Sequence, residues 1–257
     1  MPPIVQTRDL RKSFAGYSAI DDVSLAIETG AIHAIIGPNG AGKTTFFNLL
    51  SGFVTASAGS IWLAGREITG FQPHAIARLG MIRSFQINSV FTHLSVLDNV
   101  KVSLEAKTHL PSRFWLSGSA TKPLDARARQ LLVDVGLERE RELLASQLPY
   151  GGKRALEIAI SLAQDPAILL LDEPTAGMGS EDVGRITQLI GRIRNGRTIV
   201  LVEHNLSVVA DLSDRITVLQ RGKVLVEGTY ADVRADKRVI DAYLGGGAGV
   251  HAGRQHA

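Results

Sequence analysis

A chain of 257 residues is long enough to bury the core of one large domain or two small ones. Its 28 Lys and Arg against 25 Asp and Glu leave a formal net charge of +3 without a long basic block, which argues against a nucleic-acid partner. The absence of cysteine excludes disulfides and thiolate metal sites and agrees with a reducing compartment.

Hydropathy argues against a chain that crosses a membrane by itself. No window approaches the roughly 20 apolar residues that a membrane-spanning helix needs. The first residues, MPPIVQTRDLRKSF, lack the apolar stretch of a secretion signal. We therefore expect a cytoplasmic protein.

The amino-terminal part of the chain predicts strands followed by a loop and a helix. Residues 4–30 carry β-branched and apolar residues in short runs broken at Gly16 and Gly30, which predicts a small antiparallel β layer. The apolar run Ile32–Ile36 predicts a buried strand, and the string KTTFFNLLSG after it predicts a helix that ends near Gly52.

The remainder of the chain predicts an α/β core with a helical insertion. Apolar runs at residues 168–171 and 199–202 each follow a helix-like stretch, the pattern of βα units in a buried parallel sheet. Residues 88–162 are expected to be mainly helical, with a loop or broken helix at residues 106–124. The strings DRITVLQRGKVLVEG and DKRVIDAYLG predict a β-hairpin turning near Arg221 and a short closing helix.

These patterns predict one domain over residues 1–244. Its sheet core takes about residues 1–87 and 163–244, and the helical lobe takes about residues 88–162. The glycine-rich tail, residues 245–257, has nothing to bury and is expected to be flexible.

The string GPNGAGKTT has the spacing of a phosphate-binding loop and stands between a predicted strand and a predicted helix. Glycines let consecutive backbone N–H groups turn toward a phosphate, and the helix amino end adds positive potential. Lys43 can reach the β- and γ-phosphates and Thr44 can ligate Mg²⁺, so we expect a nucleotide with Mg²⁺. The loop alone leaves GTPases, nucleotide kinases and recombinases open. The predicted nucleotide-binding residues are Gly37, Pro38, Asn39, Gly40, Ala41, Gly42, Lys43, Thr44 and Thr45.

Polar residues after the apolar strands supply the predicted catalytic groups. Asp172 can hold the Mg²⁺ shell and Glu173 can polarise the attacking water, although an ordinary acidic turn after a strand is the alternative. Gly37, Asp172 and His204 each follow a predicted strand, and the carboxyl ends of parallel strands meet at one edge of a sheet. His204 can then hydrogen-bond the γ-phosphate, and its alternative is a structural histidine. Gln86 can touch Mg²⁺ or water, and its alternative is an ordinary solvent-exposed glutamine.

The string LPYGG at residues 148–152 completes an ordered series of motifs. With it the chain resembles the ATP-binding cassette (ABC) ATPases over nearly its whole length, with a Walker A loop at residues 37–45, a Q-loop at Gln86, a signature at residues 148–152, a Walker B strand at residues 168–173 and a switch histidine at His204. The resemblance implies an α/β fold: a P-loop NTPase core with a mostly parallel sheet, an N-terminal antiparallel β layer and an inserted helical lobe. It also implies Mg-dependent ATP hydrolysis coupled to transport.

The resemblance further implies that two cassettes meet head to tail. The signature of one, with Tyr150, Gly151 and Gly152, then closes on the ATP held by the other. An aromatic residue near the amino terminus stacks on adenine in such proteins, and Phe14 matches it, with Tyr17 as the second candidate and burial in the core as the alternative.

Local strings are similar to the ABC subfamily that powers uptake of branched-chain amino acids, amides or urea. They are FFNLLSGF, RSFQ, the loop-rich insertion at residues 106–124, Tyr150 and the ending VIDAYLG. This similarity implies two transmembrane permease subunits, a solute-binding protein, a second ATPase chain of the same or another kind, and a position on the inner face of the membrane. The alternatives are a lipopolysaccharide-type exporter and a soluble ABC protein that acts on ribosomes or chromosomes.

Two positions depart from the family pattern. Pro149 stands where the signature usually has serine and supplies neither a hydroxyl nor an N–H, and Gly179 stands where an Asp or Asn is usual. We therefore expect the chain to work best in a heterodimer. A cassette that binds ATP without hydrolysing it is disfavoured by the intact residues Lys43, Asp172, Glu173 and His204.

The permease-contacting surface is expected between Gln86 and Lys101. Val90, Phe91 and Leu94 can form an apolar patch there, and burial of these side chains inside the helical lobe is the alternative.

Overall fold

The computed structural model describes residues 3–84, 90–107 and 122–244. The chain divides into two compact units, a first unit of residues 1–73 and 201–257 and a second unit of residues 74–200. The helices among the described residues are too short or too polar to cross a membrane.

Strands and helices follow one another along the described chain. In chain order they are β1 (Pro3–Phe14), β2 (Tyr17–Glu28), β3 (Ile32–Ile36), α1 (Lys43–Leu50), β4 (Ala58–Leu63), β5 (Arg66–Glu67), α2 (Pro73–Arg78), β6 (Met81–Arg83), α3 (Val96–Lys107), α4 (Lys122–Val135), α5 (Tyr150–Ala163), β7 (Ile168–Asp172), α6 (Ser180–Ile193), β8 (Thr198–Val202), α7 (Leu206–Leu212), β9 (Arg215–Gln220), β10 (Lys223–Gly228), α8 (Tyr230–Ala235) and α9 (Lys237–Leu244).

The first unit contains the predicted antiparallel layer, a four-stranded sheet in the order β2-β1-β4-β5. The β1–β2 turn is built from Ala15 and Gly16, both at positive φ. In β2 the side chains of Val23, Leu25 and Ile27 are buried and their neighbours are exposed or half-buried. This alternation places one face of the layer on the core of the unit.

A second group of strands in the first unit carries the loop that follows β3. All five residues of β3 are buried, as expected for a strand covered on both faces. It pairs in parallel with β9, with Ile36 opposite Val218, and β9 pairs antiparallel with β10. The predicted hairpin and the predicted closing helix, α9, are confirmed.

The second unit combines a parallel strand pair with packed helices. β6 pairs in parallel with β7, with Arg83 opposite Leu170, and α3, α4 and α5 pack on one another. Their contact is apolar, with Val100, Leu131 and Leu156 fully or almost fully buried. The predicted α/β fold class is therefore confirmed, while the division into a core and a lobe at residues 88 and 162 stays a prediction.

Part of the expected loop-rich insertion, residues 108–121, lies outside the described residues. The tail that is predicted to be flexible, residues 245–257, also lies outside them. The described ends of the insertion are helical, because α3 extends to Lys107 and α4 begins at Lys122.

Candidate functional site

The phosphate loop after β3 requires glycine at two positions. Gly37 has φ of +149°, and a Cβ there would lie 2.1 Å from the carbonyl oxygen of Leu219 at the end of β9. Gly42 has φ of +102°, and a Cβ there would lie 2.5 Å from the carbonyl oxygen of Ala19. Any side chain would force the backbone apart, so the close packing itself explains both glycines.

Lys43 is folded over this loop. Its side chain is buried, and its Nζ donates to the carbonyl oxygens of Gly37 at 2.8 Å and Pro38 at 3.1 Å. Lys43 is also the first residue of α1, which has no side-chain cap at Gly42. An ammonium group and an uncapped helix amino end therefore share one glycine-lined cradle, an arrangement that suits a phosphate.

The turn between β9 and β10 is hydrogen-bonded to the phosphate loop. The N–H of Gly222 donates to the carbonyl oxygen of Ala41 at 3.0 Å, and the carbonyl oxygen of Gly222 accepts from the N–H of Asp21 at 2.8 Å. A Cβ on Gly222 would lie 2.7 Å from the carbonyl oxygen of Ala19. The sequence predicted the turn, but not its contact with the loop.

The segment after β8 holds His204 on an ordered turn. The carboxylate of Glu203, which is fully buried, accepts from the N–H groups of His204 at 3.0 Å and Asn205 at 3.1 Å. The side chain of Asn205 then caps α7 by accepting from the N–H of Ser207 at 3.1 Å. His204 itself is exposed. Sequence reasoning missed Glu203 and Asn205, although an Asn just before an apolar helical run is an amino-cap signal.

In the second unit, Asp172 ends β7 and Glu173 begins the turn after it. Glu173 has φ of +46°, a left-handed conformation that is costly for a residue with a side chain and that concentrates at functional sites. The Oδ2 of Asp172 accepts from the Arg83 guanidinium at 2.5 Å, and both side chains are mostly buried. Arg83 ends β6, so the parallel pairing of β6 and β7 brings these two charges together.

Arg154 on α5 ties the helix to the backbone around these carboxylates. Its guanidinium donates to the carbonyl oxygens of Asp172 at 2.7 Å, Glu173 at 3.2 Å and Pro174 at 3.2 Å. It also donates to the carboxylate of Glu157 at 2.7 Å. Arg154 is 7% exposed and Glu157 is 1% exposed. A buried arginine therefore fixes the path of the Asp172–Glu173 turn.

The pKa of Glu157 reflects this burial. Removal from water raises the pKa of the carboxyl group above its usual value, and the Arg154 guanidinium opposes part of that rise. Sequence reasoning missed both residues. The available signal was a cation and an anion three positions apart in a stretch predicted to be helical.

The glycine-rich string at the start of α5 packs against the start of α6. Pro149 stands at the amino cap of α5 without a side-chain cap, and the hydroxyl of Tyr150 donates to the carbonyl oxygen of Ala176 at 3.2 Å. A Cβ on Gly151 would lie 2.6 Å from the Asp182 carboxylate, which explains the glycine. Gly179 likewise stands at the amino cap of α6 without a side-chain cap.

The remaining predicted site residues have varied placements. Phe14 is 45% exposed and Tyr17 is 62% exposed, so neither aromatic ring belongs to the core. The Lys12 ammonium lies 4.8 Å from the centroid of the Phe14 ring. Thr44 is exposed and Thr45 half-buried, whereas Gln86 lies outside the described residues.

Comparison with known proteins gives a consistent set of relatives. The ABC transporter family model matches residues 20–176, and a model for branched-chain amino acid ATP-binding cassette transporters matches residues 223–249. The chain is 38% identical to the high-affinity branched-chain amino acid transport ATP-binding protein LivG of Salmonella typhimurium, over 95% of this chain and 98% of that protein. It is 37% identical, at the same coverage, to BraF of Pseudomonas aeruginosa, which carries the same description.

Solved structures agree with these sequence matches. The ADP conformation of MJ1267, an ATP-binding cassette of an ABC transporter, superposes with a TM-score of 0.85 at 26% identity and covers 95% of this chain and 100% of that chain. A dimeric post-hydrolysis state of the cassette MJ0796 bound to ADP and Pi gives a TM-score of 0.74 at 26% identity, with 88% and 98% covered.

Proposed function

We propose, since this chain belongs to the ABC transporter family, that it is the ATP-hydrolysing subunit driving import of branched-chain amino acids through separate permease subunits. The observation that carries the proposal is the cradle in which Lys43 and the amino end of α1 face a glycine-lined loop. The amino-acid specificity is supported by similarity to LivG and BraF and by the match of residues 223–249. A solute-binding protein outside the membrane completes the proposed system. This chain lies on the inner face of the membrane.

We propose that the ligand of this site is a magnesium nucleotide. We assign the phosphates to the loop of residues 37–45, and Mg²⁺ to Thr44, Asp172 and Gln86. Oxygen ligands of this kind suit Mg²⁺, which when bound supplies charge neutralisation at the phosphates. Because Arg83 already neutralises Asp172, this carboxylate must exchange one cation for another when it takes up the metal.

The chain's own groups have separate roles in this proposal. Glu173 accepts the proton of the attacking water, and His204 donates to the γ-phosphate. Phe14, with Tyr17 as the second candidate, stacks on adenine, because an exposed ring offers a face to a planar base. Arg154 donates to the carbonyl oxygen of Glu173 and in this way holds the backbone that carries it.

Dimerisation belongs to the same proposal. The signature residues Tyr150, Gly151 and Gly152 are proposed to face the nucleotide of a second cassette. Pro149 and Gly179 stand at uncapped amino ends of α5 and α6, where serine or aspartate would have supplied a polar side chain. This loss favours a heterodimer in which the other chain provides a complete signature.

Replacing Lys43 with alanine should abolish transport. Loss of a charged hydrogen-bond donor to phosphate is expected to weaken ATP binding at least about tenfold. In the organism that carries this chain, deletion of its gene should abolish high-affinity uptake of radiolabelled leucine, isoleucine and valine. The unaltered chain should restore uptake, and Lys43→Ala should not.

The control for this experiment is Lys107→Ala, which removes a partly exposed lysine paired with Asp165 on the surface. This variant should restore uptake fully. Normal amino-acid uptake in the deletion strain would refute the proposed substrate, and loss of lipopolysaccharide export instead would support the exporter alternative.

The permease-docking surface is proposed around Phe91. This side chain is 56% exposed, so it is not packed inside the helices. The buried Asn99 fixes its backbone by accepting from the N–H of Phe91 at 2.8 Å and donating to its carbonyl oxygen at 3.0 Å. Val90 and Leu94 are half-buried beside it in sequence. An exposed aromatic ring on a fixed backbone suits a protein interface.

Phe91→Asp should therefore prevent association with the permease and leave folding and nucleotide binding intact. Loss of an interface aromatic is expected to weaken association at least about tenfold, measured by co-purification from membranes. Val133→Asp, at a position 51% exposed on α4, is the matched control and should co-purify normally. Normal co-purification of Phe91→Asp would place the docking surface elsewhere.

A further inference from the structure

The closing helix α9 lies beside the phosphate loop. Asp241 and Ala242 of α9 line a cavity of about 290 Å³ together with Pro38, Gly40 and Arg221. On another side of the helix, an apolar cavity of about 250 Å³ is lined by Val239, Ile240 and Tyr243 of α9 together with Ile36, the last residue of β3. The same helix therefore borders both the strand end and the loop that follows it.

Tyr243 of α9 lines the apolar cavity beside Ile36, the residue that precedes the loop. Its hydroxyl oxygen is buried and has no hydrogen-bond partner among the described residues. Burial raises the pKa of Tyr243, and the backbone N–H of Gly37, which approaches the phenol oxygen outside hydrogen-bonding geometry, opposes part of that rise. The phenol oxygen thus lies within electrostatic reach of Gly37 without a completed hydrogen bond.

Gly37 links this tyrosine to the lysine of the loop. The carbonyl oxygen of Gly37 accepts from Lys43 Nζ at 2.8 Å, and the contact with Leu219 leaves Gly37 no room for a side chain. A small displacement of Gly37 would therefore move the acceptor on which the Lys43 ammonium is held.

We propose that Tyr243 is a positioning residue for nucleotide binding, whose hydroxyl accepts from the N–H of Gly37 and holds the loop when phosphate draws Lys43 away from the Gly37 carbonyl. The inference rests on the proposed function and deepens it. It gives the carboxy-terminal segment matched by the branched-chain transporter model, residues 223–249, a role at the nucleotide site.

The chemistry of the apolar cavity supports a functional hydroxyl. A buried hydroxyl without a partner lowers stability, so packing alone would favour phenylalanine at this position. A tyrosine with that cost is explained if the hydroxyl gains its partner in the nucleotide-bound state.

Tyr243→Phe keeps the ring that packs in the apolar cavity and removes the hydroxyl, so it separates packing from hydrogen bonding. The melting temperature should stay unchanged or rise, while the affinity for a fluorescent ADP analogue with Mg²⁺ should fall about fivefold, the worth of one hydrogen bond. In ATP hydrolysis by the assembled transporter, KM should rise by a similar factor and kcat should change less than about twofold.

Tyr230→Phe is the matched control, because Tyr230 lines the same apolar cavity from α8; it should bind the analogue normally. Wild-type affinity in Tyr243→Phe would overturn the inference and leave the proposed function standing. Failure of the unaltered chain to bind the analogue would overturn both.

Discussion

Replacing Glu173 with glutamine should slow ATP hydrolysis by about a hundredfold or more, the usual contribution of a general base, while ATP binding persists. Glutamine keeps the size of the side chain but cannot accept the proton of the attacking water. The left-handed backbone of Glu173 and the Arg154 contact to its carbonyl are unchanged in this variant. Phosphate release from purified protein measures the rate.

Glu142→Gln is the control for this substitution. Glu142 is exposed, with 71% of its side chain accessible, and pairs with Arg141 on the surface, so its replacement should leave the rate unchanged. Hydrolysis at the wild-type rate by Glu173→Gln would assign the base to another residue.

Glu173→Gln also tests whether two ATP-bound chains form a dimer. Slow hydrolysis should trap ATP-bound pairs, and light scattering with and without Mg-ATP reports their mass. If Pro149 and Gly179 weaken self-pairing, Glu173→Gln binds ATP and stays monomeric until the second ATPase chain is added. A stable ATP-bound homodimer of this chain alone would contradict the heterodimer proposal.

Much of the fold was predictable because its buried strands are continuous apolar runs. β3, β7 and β8 each have five residues, four of them apolar, and each is followed by a glycine or a glutamate. The weaker elements were not predicted. β5 has two residues and β6 has three, too few for a periodic signal, and their pairing with β4 and β7 stabilises them.

The candidate site was predictable where local spacing carries the chemistry. Residues 37–45 are proposed to bind phosphate through consecutive backbone groups, so their order alone indicates a phosphate loop. Arg83 and Arg154 donate to Asp172, which lies 89 and 18 positions away in sequence. Only the folded chain shows those contacts, because nothing in the local sequence around either arginine identifies its partner.

Replacing Arg154 with methionine should lower the free energy of unfolding by about 3–5 kcal/mol, the usual cost of breaking a buried ion pair. The substitution leaves the carboxylate of Glu157, whose side chain is 1% exposed, without its cation. It also removes the donor to the carbonyl oxygens of Asp172, Glu173 and Pro174. Urea unfolding measures the loss of stability. Phosphate release measures the slower ATP hydrolysis expected when the turn that carries Glu173 is no longer held.

The loss of stability should depend on pH. A folded-state pKa above the unfolded value means that the folded chain binds the proton of Glu157 more tightly. The stability contributed by this proton is fully present below the pKa of Glu157 in the unfolded chain. It is lost as pH rises through the pKa of Glu157 in the folded chain. Without Arg154 the pKa of Glu157 rises further, so Arg154→Met should lose more stability with rising pH than the wild type. An equal pH dependence in both proteins would refute this account of the pair.

The double variant Arg154→Met/Glu157→Leu separates stability from positioning. Apolar side chains of similar size often replace a buried ion pair at little cost, so most of the lost stability should return. Hydrolysis should stay slow, because no donor reaches the three carbonyl oxygens of the Asp172–Glu173 turn. Recovery of both properties would show that Arg154 serves only the ion pair. Recovery of stability alone would show that α5 fixes the backbone on which the proposed base is carried.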